Sequence, residues 1–283
     1  MPPKRALVTY AVDVDACANW INTRDGTKIG ATDVSRGIYG ANVGTDRMLK
    51  LFADNNIKAS WYMPSHTILS FPDQMAKVRD AGHEISSGLH GYTHEFVRFL
   101  TEEQERKVMA KSIEVYQKFT GKYPKGWVAP AWEVSPKTMS ILEDFGIEYD
   151  HSMLHHDCQP YYVADVPDES LVHTDYSKDP DTWMVPMKEH KPTKVVEIPG
   201  SWNVDDWHVL GHMDLEYDTF VFCVSCHPQV SGKSNVMLMH ERFIEYLKTK
   251  EGVEFVTMAQ VCDEFKAGTL PGVTIQAGVS SSD

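Results

Sequence analysis

The amino-acid sequence predicts an α/β protein organised as one barrel around a mainly parallel sheet. Strand-length apolar runs alternate with helical stretches along almost the whole chain. No linker or change of composition separates one half from the other, which favours one barrel over two modules. At 283 residues, 42% hydrophobic and 24% charged, the chain has the composition of a soluble globular enzyme with a large core.

The elements follow in order. "ALVTYAVDV" (6–14) is rich in β-branched and small apolar residues and reads as a strand, "GTDRMLKLFADNN" (44–56) as a helix and "KASWYMP" (58–64) as a second strand. "FPDQMAKVRDAG" (71–82) continues with a helix, "HEISSG" (83–88) with a short strand, "TEEQERKVMAKSIEVYQKFTG" (101–121) with a long helix and "KGWVAP" (125–130) with a strand. "SPKTMSILEDFG" (135–146) has a Ser-Pro helix start, and "IEYDHSM" (147–153), "VVEIPGSW" (195–202) and "FVFCVSCHP" (220–228) read as strands. The helix "NVMLMHERFIEYLKTKEG" (235–252) takes Met237 and Met239 as core and His240 as a structural contact, and "VEFVTMAQVCDEFKAG" (253–268) closes with a strand and a helix. Residues 155–195 are the longest irregular stretch, of a kind that more often covers a site than links domains. One domain over 1–270 and a disordered tail over 271–283 are expected.

Charge and cysteine use narrow the function. Lys and Arg number 27 against 40 Asp and Glu, a net charge of -13, which disfavours a phosphate-tracking surface and so a nucleic-acid partner. The amino-terminal "MPPKRALVTY" lacks a signal-peptide core, and no run reaches membrane-spanning length, so a cytoplasmic location away from membranes is expected. Five scattered cysteines argue against a disulfide framework. "CVSCH" (223–227) matches the haem-attachment spacing, but it sits in a run that alternates like a buried strand, which haem attachment does not tolerate.

Several polar residues fall at the carboxyl ends of the expected strands, where barrel enzymes carry their chemistry. Asp13 and Asp15 lie on one side of an extended chain, and two anions so close need a cation or a shared proton; the alternative is a turn with two solvated acids. In "LHGYTHE" (89–95), His90 and His94 would share one face of a helical turn and could converge on an ion such as zinc; two surface histidines are the alternative. With Asp15 they would make a three-ligand site with a position left for water. His227 could serve as a general acid, or simply cap its strand. Pro130, Trp132, Asp150, His151 and Trp202 stand at further strand ends and together would line one mouth, with core or loop packing as the alternative for each; His66, at another strand end, could contact substrate.

The ordered set "VDVDA", "HGYTH", "APAW", "IPGSW" and "CHP" resembles the polysaccharide deacetylase superfamily, the NodB homology or carbohydrate esterase family 4 group, over residues 7–265. "SRGIYGANVGTDRMLKLF", "VAPAWEVS" and "YDHSML" look closest to the branch holding a Helicobacter peptidoglycan deacetylase, cyclic imide hydrolases and PuuE allantoinase-like proteins. The resemblance implies a distorted (β/α) barrel of about seven parallel strands, with Asp15, His90 and His94 binding zinc or another divalent ion, Asp13 as base and His227 as acid. The backbone of Ala131 would hold the oxyanion, with Trp132, Trp202, Tyr92 and His66 as candidate substrate contacts. It also implies a homo-oligomer, a tetramer in this branch, for which "SRGIYGANVG" is a candidate contact.

The expected activity is therefore metal-dependent hydrolysis of a non-peptide C–N bond, in an N-acetyl sugar or in a small cyclic amide, imide or ureide. Val128 stands where polymer deacetylases carry an arginine, and Ala131 where they carry an aromatic residue. "HEISSGLHG" is about two residues longer than usual before the first histidine, and the stretch between Trp202 and Cys223 is short. The missing arginine, the aromatic-rich loop and the lack of an export signal favour the small molecule. A catalytically silent binding or assembly protein is the alternative from another class.

Overall fold

The computed structural model describes residues 5–22, 29–85, 89–165, 175–183, 190–200 and 219–270. In chain order, β1 (Arg5–Asp13) leads to the one-turn helix α1 (Ala18–Ile21), to α2 (Ala31–Tyr39), to a π-helical turn at Gly40–Gly44 and to α3 (Thr45–Asn55). Next come β2 (Ser60–Tyr62), α4 (Ser65–Ser70), α5 (Pro72–Asp80) and α6 (Glu102–Thr120). The middle of the chain forms β3 (Gly126–Trp127), α7 (Thr138–Asp144), β4 (Tyr149–Asp150), β5 (Tyr161–Ala164) and β6 (Pro192–Glu197). β7 (Thr219–Cys226), α8 (Pro228–Ser231), α9 (Ser234–Lys248), β8 (Val253–Phe255) and α10 (Met258–Lys266) complete it.

The described strands form two four-stranded sheets. In the first, β1 is the spine: β7 runs parallel to it from Arg5 to Val12, β8 joins it along residues 6–8 and β2 along residues 11–13. The second has the order β3-β4-β6-β5, parallel except for the β5–β6 pair. Isolated bridges, Ser60 with Glu84 and Leu89 with Trp127, step from one sheet to the other, which gives an open, distorted barrel.

Side-chain alternation along β1 builds both layers. Ala6, Val8, Tyr10 and Val12 pack outward among Met48, Phe52 and Ile244 of the helices, while Leu7 and Ala11 face the interior with Tyr62, Val128, Tyr149 and Val196. Asp13 continues the inward series, so the strand's own period delivers its carboxylate to the barrel mouth. Cys223 and Cys226 fall in opposite layers, as residues three apart in a strand must, and cannot both reach one haem edge.

Four local expectations change. Residues 155–195 contain β5, whose antiparallel pairing with β6 departs from the all-parallel expectation. "HEISSG" is reduced to the Glu84 bridge, with residues 86–88 outside the described set. α2 and α4, not expected from sequence, flank the site; glycine in one and a histidine-serine start in the other weakened their helical pattern. Met239 is 46% exposed rather than core, whereas Met237 and His240 are buried and Tyr10 Oη lies 3.5 Å from His240 Nδ1. The tail 271–283, Trp202 and the short segment after it to residue 218 lie outside the described residues. No helix among the described residues is long and apolar enough to cross a membrane.

Candidate active site

A cavity of about 490 Å³ opens at the carboxyl ends of the first sheet, and Asp13, Asp15, His90, His94 and His227 line it. β1 ends on Asp13. The chain then turns, with Val14 N–H donating to Tyr62 O (2.8 Å) and Ala16 in the left-handed region (φ 50°), and this aims Asp15 at the same cavity. Thr67 Oγ1 donates to Asp15 O (3.0 Å), so α4 holds that turn from behind.

His90 and His94 do not share a helical turn. Residues 89–95 are a loop that doubles back through Gly91 (φ 74°) and His94 (φ 65°), bringing the two rings to 4.8 Å between centroids. Glu95 braces the loop: its carboxylate accepts from Tyr92 N (2.8 Å), Thr93 N (2.7 Å) and Thr93 Oγ1 (2.8 Å). From outside, Asn22 Nδ2 donates to His94 O (3.1 Å), and the first N–H groups of α4 donate to the carbonyls of Gly91 and Tyr92. Gly91 is required here, since a Cβ would lie 2.6 Å from Glu95 Oε2 in a conformation side chains rarely adopt.

Asp15 Oδ1 lies 3.3 Å from His90 Nε2 and 3.7 Å from His94 Nε2. His227 Nε2 is 3.7 Å from both Asp13 Oδ2 and Asp15 Oδ2, on a side chain that is 40% exposed. His90 Nδ1 lies 2.9 Å from Val128 O, to which it donates, which leaves Nε2 free to face Asp15.

Burial dominates the electrostatics. It raises the pKa of Asp13 despite the facing His90 and His227. Burial opposes the ionised form of Asp15 too, but the hydrogen bond from His90 and the imidazoles around it outweigh it, and the carboxyl stays below the usual range. Burial works against charge on His90, yet Asp15 and Asp13 push its pKa up to about 9, while His94 is pushed down to about 4 by burial. One proton on His90 thus balances Asp15 where a cation could do so instead.

The donor set fits such a cation. Asp15, His90 and His94 each offer one ligand atom, all within 4.8 Å of one another and all buried. Asp13 Oδ1 has no hydrogen-bond partner, and the two Asp15 oxygens meet only imidazole nitrogens at 3.3–3.7 Å, an arrangement that costs free energy without a counterion or water. Two imidazoles and a carboxylate suit zinc and similar borderline ions, with Asp13 and His227 left outside the ligand set.

Ala131 and Trp132 line the same cavity on a tight 130–132 turn, both left-handed (φ 57° and 54°). The side chains of His66 and Tyr92 do not line it: His66 lies near Ser70 Oγ, and Tyr92 packs against the outer core layer, so what these residues bring to the site is the backbone bond His66 N to Tyr92 O (2.8 Å). Asn19, Trp20, Asn22 and Phe96 also line it; none of them stands at the end of an expected strand, so nothing in the pattern marked them. Trp20 also borders a neighbouring cleft of about 800 Å³ that carries Arg36, Arg47 and Lys233.

The polysaccharide deacetylase family model matches residues 37–149. The chain is 39% identical to a peptidoglycan deacetylase of Helicobacter pylori, across 93% of this chain and 97% of that one. It is 31% identical to the peptidoglycan deacetylase-like protein FGM2 of Gibberella zeae, across 93% and 87% of the two chains. A candidate polysaccharide deacetylase from Mycobacterium smegmatis superposes with a TM-score of 0.78 at 24% identity, covering 98% and 96%. PuuE allantoinase does so with 0.71 at 21%, covering 93% and 91%.

Proposed function

The chain belongs to the polysaccharide deacetylase family, and on that premise we propose that it is a zinc-dependent deacetylase removing the acetyl group from an N-acetylated sugar. The observation that carries this reading is the convergence of Asp15, His90 and His94 on one buried point with Asp13 and His227 beside it. Near full-length likeness to a peptidoglycan deacetylase supports the sugar, as does a second cleft on the other side of Trp20, which borders both.

A divalent ion held by Asp15, His90 and His94 would acidify a water molecule and polarise the acetyl carbonyl. Asp13 takes the proton from the attacking water, a task for which its burial-raised pKa suits it. The Ala131 N–H steadies the oxyanion, and the strained 130–132 turn holds that group in place before substrate arrives. His227, reachable from solvent, passes a proton to the nitrogen as the C–N bond breaks, without which an amide nitrogen leaves poorly. Trp132 forms a wall beside the acetyl group.

A second reading, hydrolysis of a small cyclic amide or imide, draws on Val128: its side chain is fully buried, and among the described residues Asp13 faces imidazoles and no guanidinium. One experiment separates these readings. Zinc content is measured for the wild type and His90→Ala, and both are assayed on an N-acetylglucosamine oligomer, a cyclic imide and allantoin. About one zinc per chain, lost in the variant, with acetate release from the oligomer is the expected result. Turnover of the imide or allantoin alone selects the second reading, and zinc binding without any turnover leaves a silent binding protein.

A further inference from the structure

We propose that Asp150, Glu197 and Ser152 form a buried relay that positions His90 and sets how tightly it holds a cation, acting through the single peptide group between Val128 and Ala129. This rests on the metal-site reading above and assigns roles to three residues that the reaction scheme does not use.

The relay can be followed atom by atom. His90 Nδ1–H donates to the carbonyl of Val128 (2.9 Å). On the other side of the same peptide group, Ala129 N–H donates to Ser152 Oγ (2.8 Å), and Ser152 Oγ–H donates to Asp150 Oδ1 (2.7 Å). Asp150 and Glu197 stand opposite each other in the parallel register of β4 and β6, close enough for Asp150 to raise the pKa of Glu197. Glu197 Oε1 accepts from Ser152 N and Met153 N, both at 2.9 Å, while Glu197 Oε2 and Asp150 Oδ2 are buried with no donor facing them. Asp150, Ser152, Glu197, Val128 and Ala129 are all fully buried.

Two buried carboxyls cannot both be ionised side by side, so the pair keeps one proton and one negative charge. Glu197 is the member that retains the proton: burial and the facing Asp150 hold its carboxyl well above the usual range despite its two backbone donors, whereas Asp150 also accepts from Ser152 Oγ–H, which favours its charge. The charge therefore rests on Asp150, at the end of a hydrogen-bonded chain that leads to His90. A peptide group whose N–H is drawn toward an anion has a more electron-rich carbonyl, and that carbonyl takes a stronger bond from the imidazole. The ring is held in one tautomer and one orientation, and its Nε2 becomes a better ligand. An apolar pair of similar volume would pack β4 against β6 at lower cost. The two acids instead stand behind the one peptide that orients His90.

The test uses metal-depleted full-length protein and measures zinc dissociation constants by competition with a chromophoric chelator, alongside the visible spectrum of the cobalt(II) form. Ser152→Ala and Asp150→Asn should each bind zinc about tenfold more weakly, with shifted cobalt bands. Combined, they should not add: the double variant should match Ser152→Ala alone, because both act along one path. Glu197→Gln keeps each hydrogen bond and leaves the charge on Asp150, so it should stay within about twofold of wild type. Wild-type affinity and spectrum in both single variants, or fully additive losses, would overturn the relay. If Ser152→Ala does not fold, Asp150→Asn against Glu197→Gln decides the matter alone: equal zinc affinities refute it. Failure of the metal site itself is distinguishable, since the wild type would then bind no zinc.

Discussion

Gly44→Ala should leave the metal site assembled and yet cripple catalysis. Gly44 ends the π-helical turn between α2 and α3, and a Cβ built there lies 2.2 Å from Pro228 O and 2.7 Å from Pro228 C. Both atoms are backbone of the residue that follows His227, so no side chain can swing aside. Nonbonded carbon and oxygen stay about 3.2 Å apart, which demands a retreat of about 1 Å. The turn cannot absorb it, because Gly232 already sits against Gly44: a Cβ on Gly232 would lie 2.3 Å from Gly44 Cα. The helix cannot absorb it either, since Gly37 on the preceding turns packs against Ala16 and Cys17, where a Cβ would meet Ala16 O at 2.5 Å. Overpacking of this kind costs about 1–3 kcal/mol, and moving a general acid by about 1 Å costs roughly 100-fold in rate. The assay is acetate release from an N-acetylglucosamine oligomer at saturating zinc, with denaturant unfolding and zinc affinity measured in parallel. A loss of about 100-fold in kcat with zinc affinity kept within a few-fold is expected. Gly146→Ala is the control, because Gly146 has a positive φ of 68° and nothing within 4 Å, so it should lose about 1 kcal/mol of stability and no activity. Wild-type kcat and stability in Gly44→Ala would refute the clamp.

Three further outcomes follow from the same geometry. Asp13→Asn and His227→Gln should each lower kcat by about 10²- to 10⁴-fold while zinc content stays at the wild-type level, which separates proton transfer from ligation; loss of zinc in either variant would instead count it as a ligand. Glu95→Ala removes three hydrogen bonds from the loop carrying both metal histidines, and should weaken zinc binding by about tenfold or more; chelator competition reads this directly. His151 is fully buried, and burial pushes its pKa down to about 4 from the ordinary imidazole value of 6.5. Its neutral form is the folded one, so its contribution of about 3 kcal/mol is present above pH 6.5 and lost as pH falls through about 4. Denaturant melts should show the stability gap between wild type and His151→Asn shrinking over that window; a constant gap would contradict the burial argument.

Much of the site was legible because strand-end chemistry is local. Asp13 falls on the inward series of β1 by simple alternation, and His227 follows the last residue of β7, so their approach at the barrel mouth needed only the strands to be found. His90 and His94 were legible as a pair and misread as geometry. Spacing of four suggests a helical turn, but Gly91 and Glu95 fold the segment into a loop, and the carboxylate that braces it lies within the very heptapeptide that carries the histidines. Gly37, Gly40 and Gly44 of "SRGIYGANVG" are engaged within the chain, against the turns that follow Asp15 and His227, a role that their spacing alone does not reveal.

The sequence by itself determined the α/β alternation, the residues that could ligate a metal and the Asp13 and His227 side chains beside them, because period, capping and residue chemistry are short-range properties. Only the tertiary structure decided the antiparallel β5–β6 pair, the glycine clamp on the turns that follow Asp15 and His227, and the pairing of Asp150 with Glu197 behind His90. Each of these depends on which backbone meets which across tens to hundreds of residues, and such contacts leave no period in the chain that forms them.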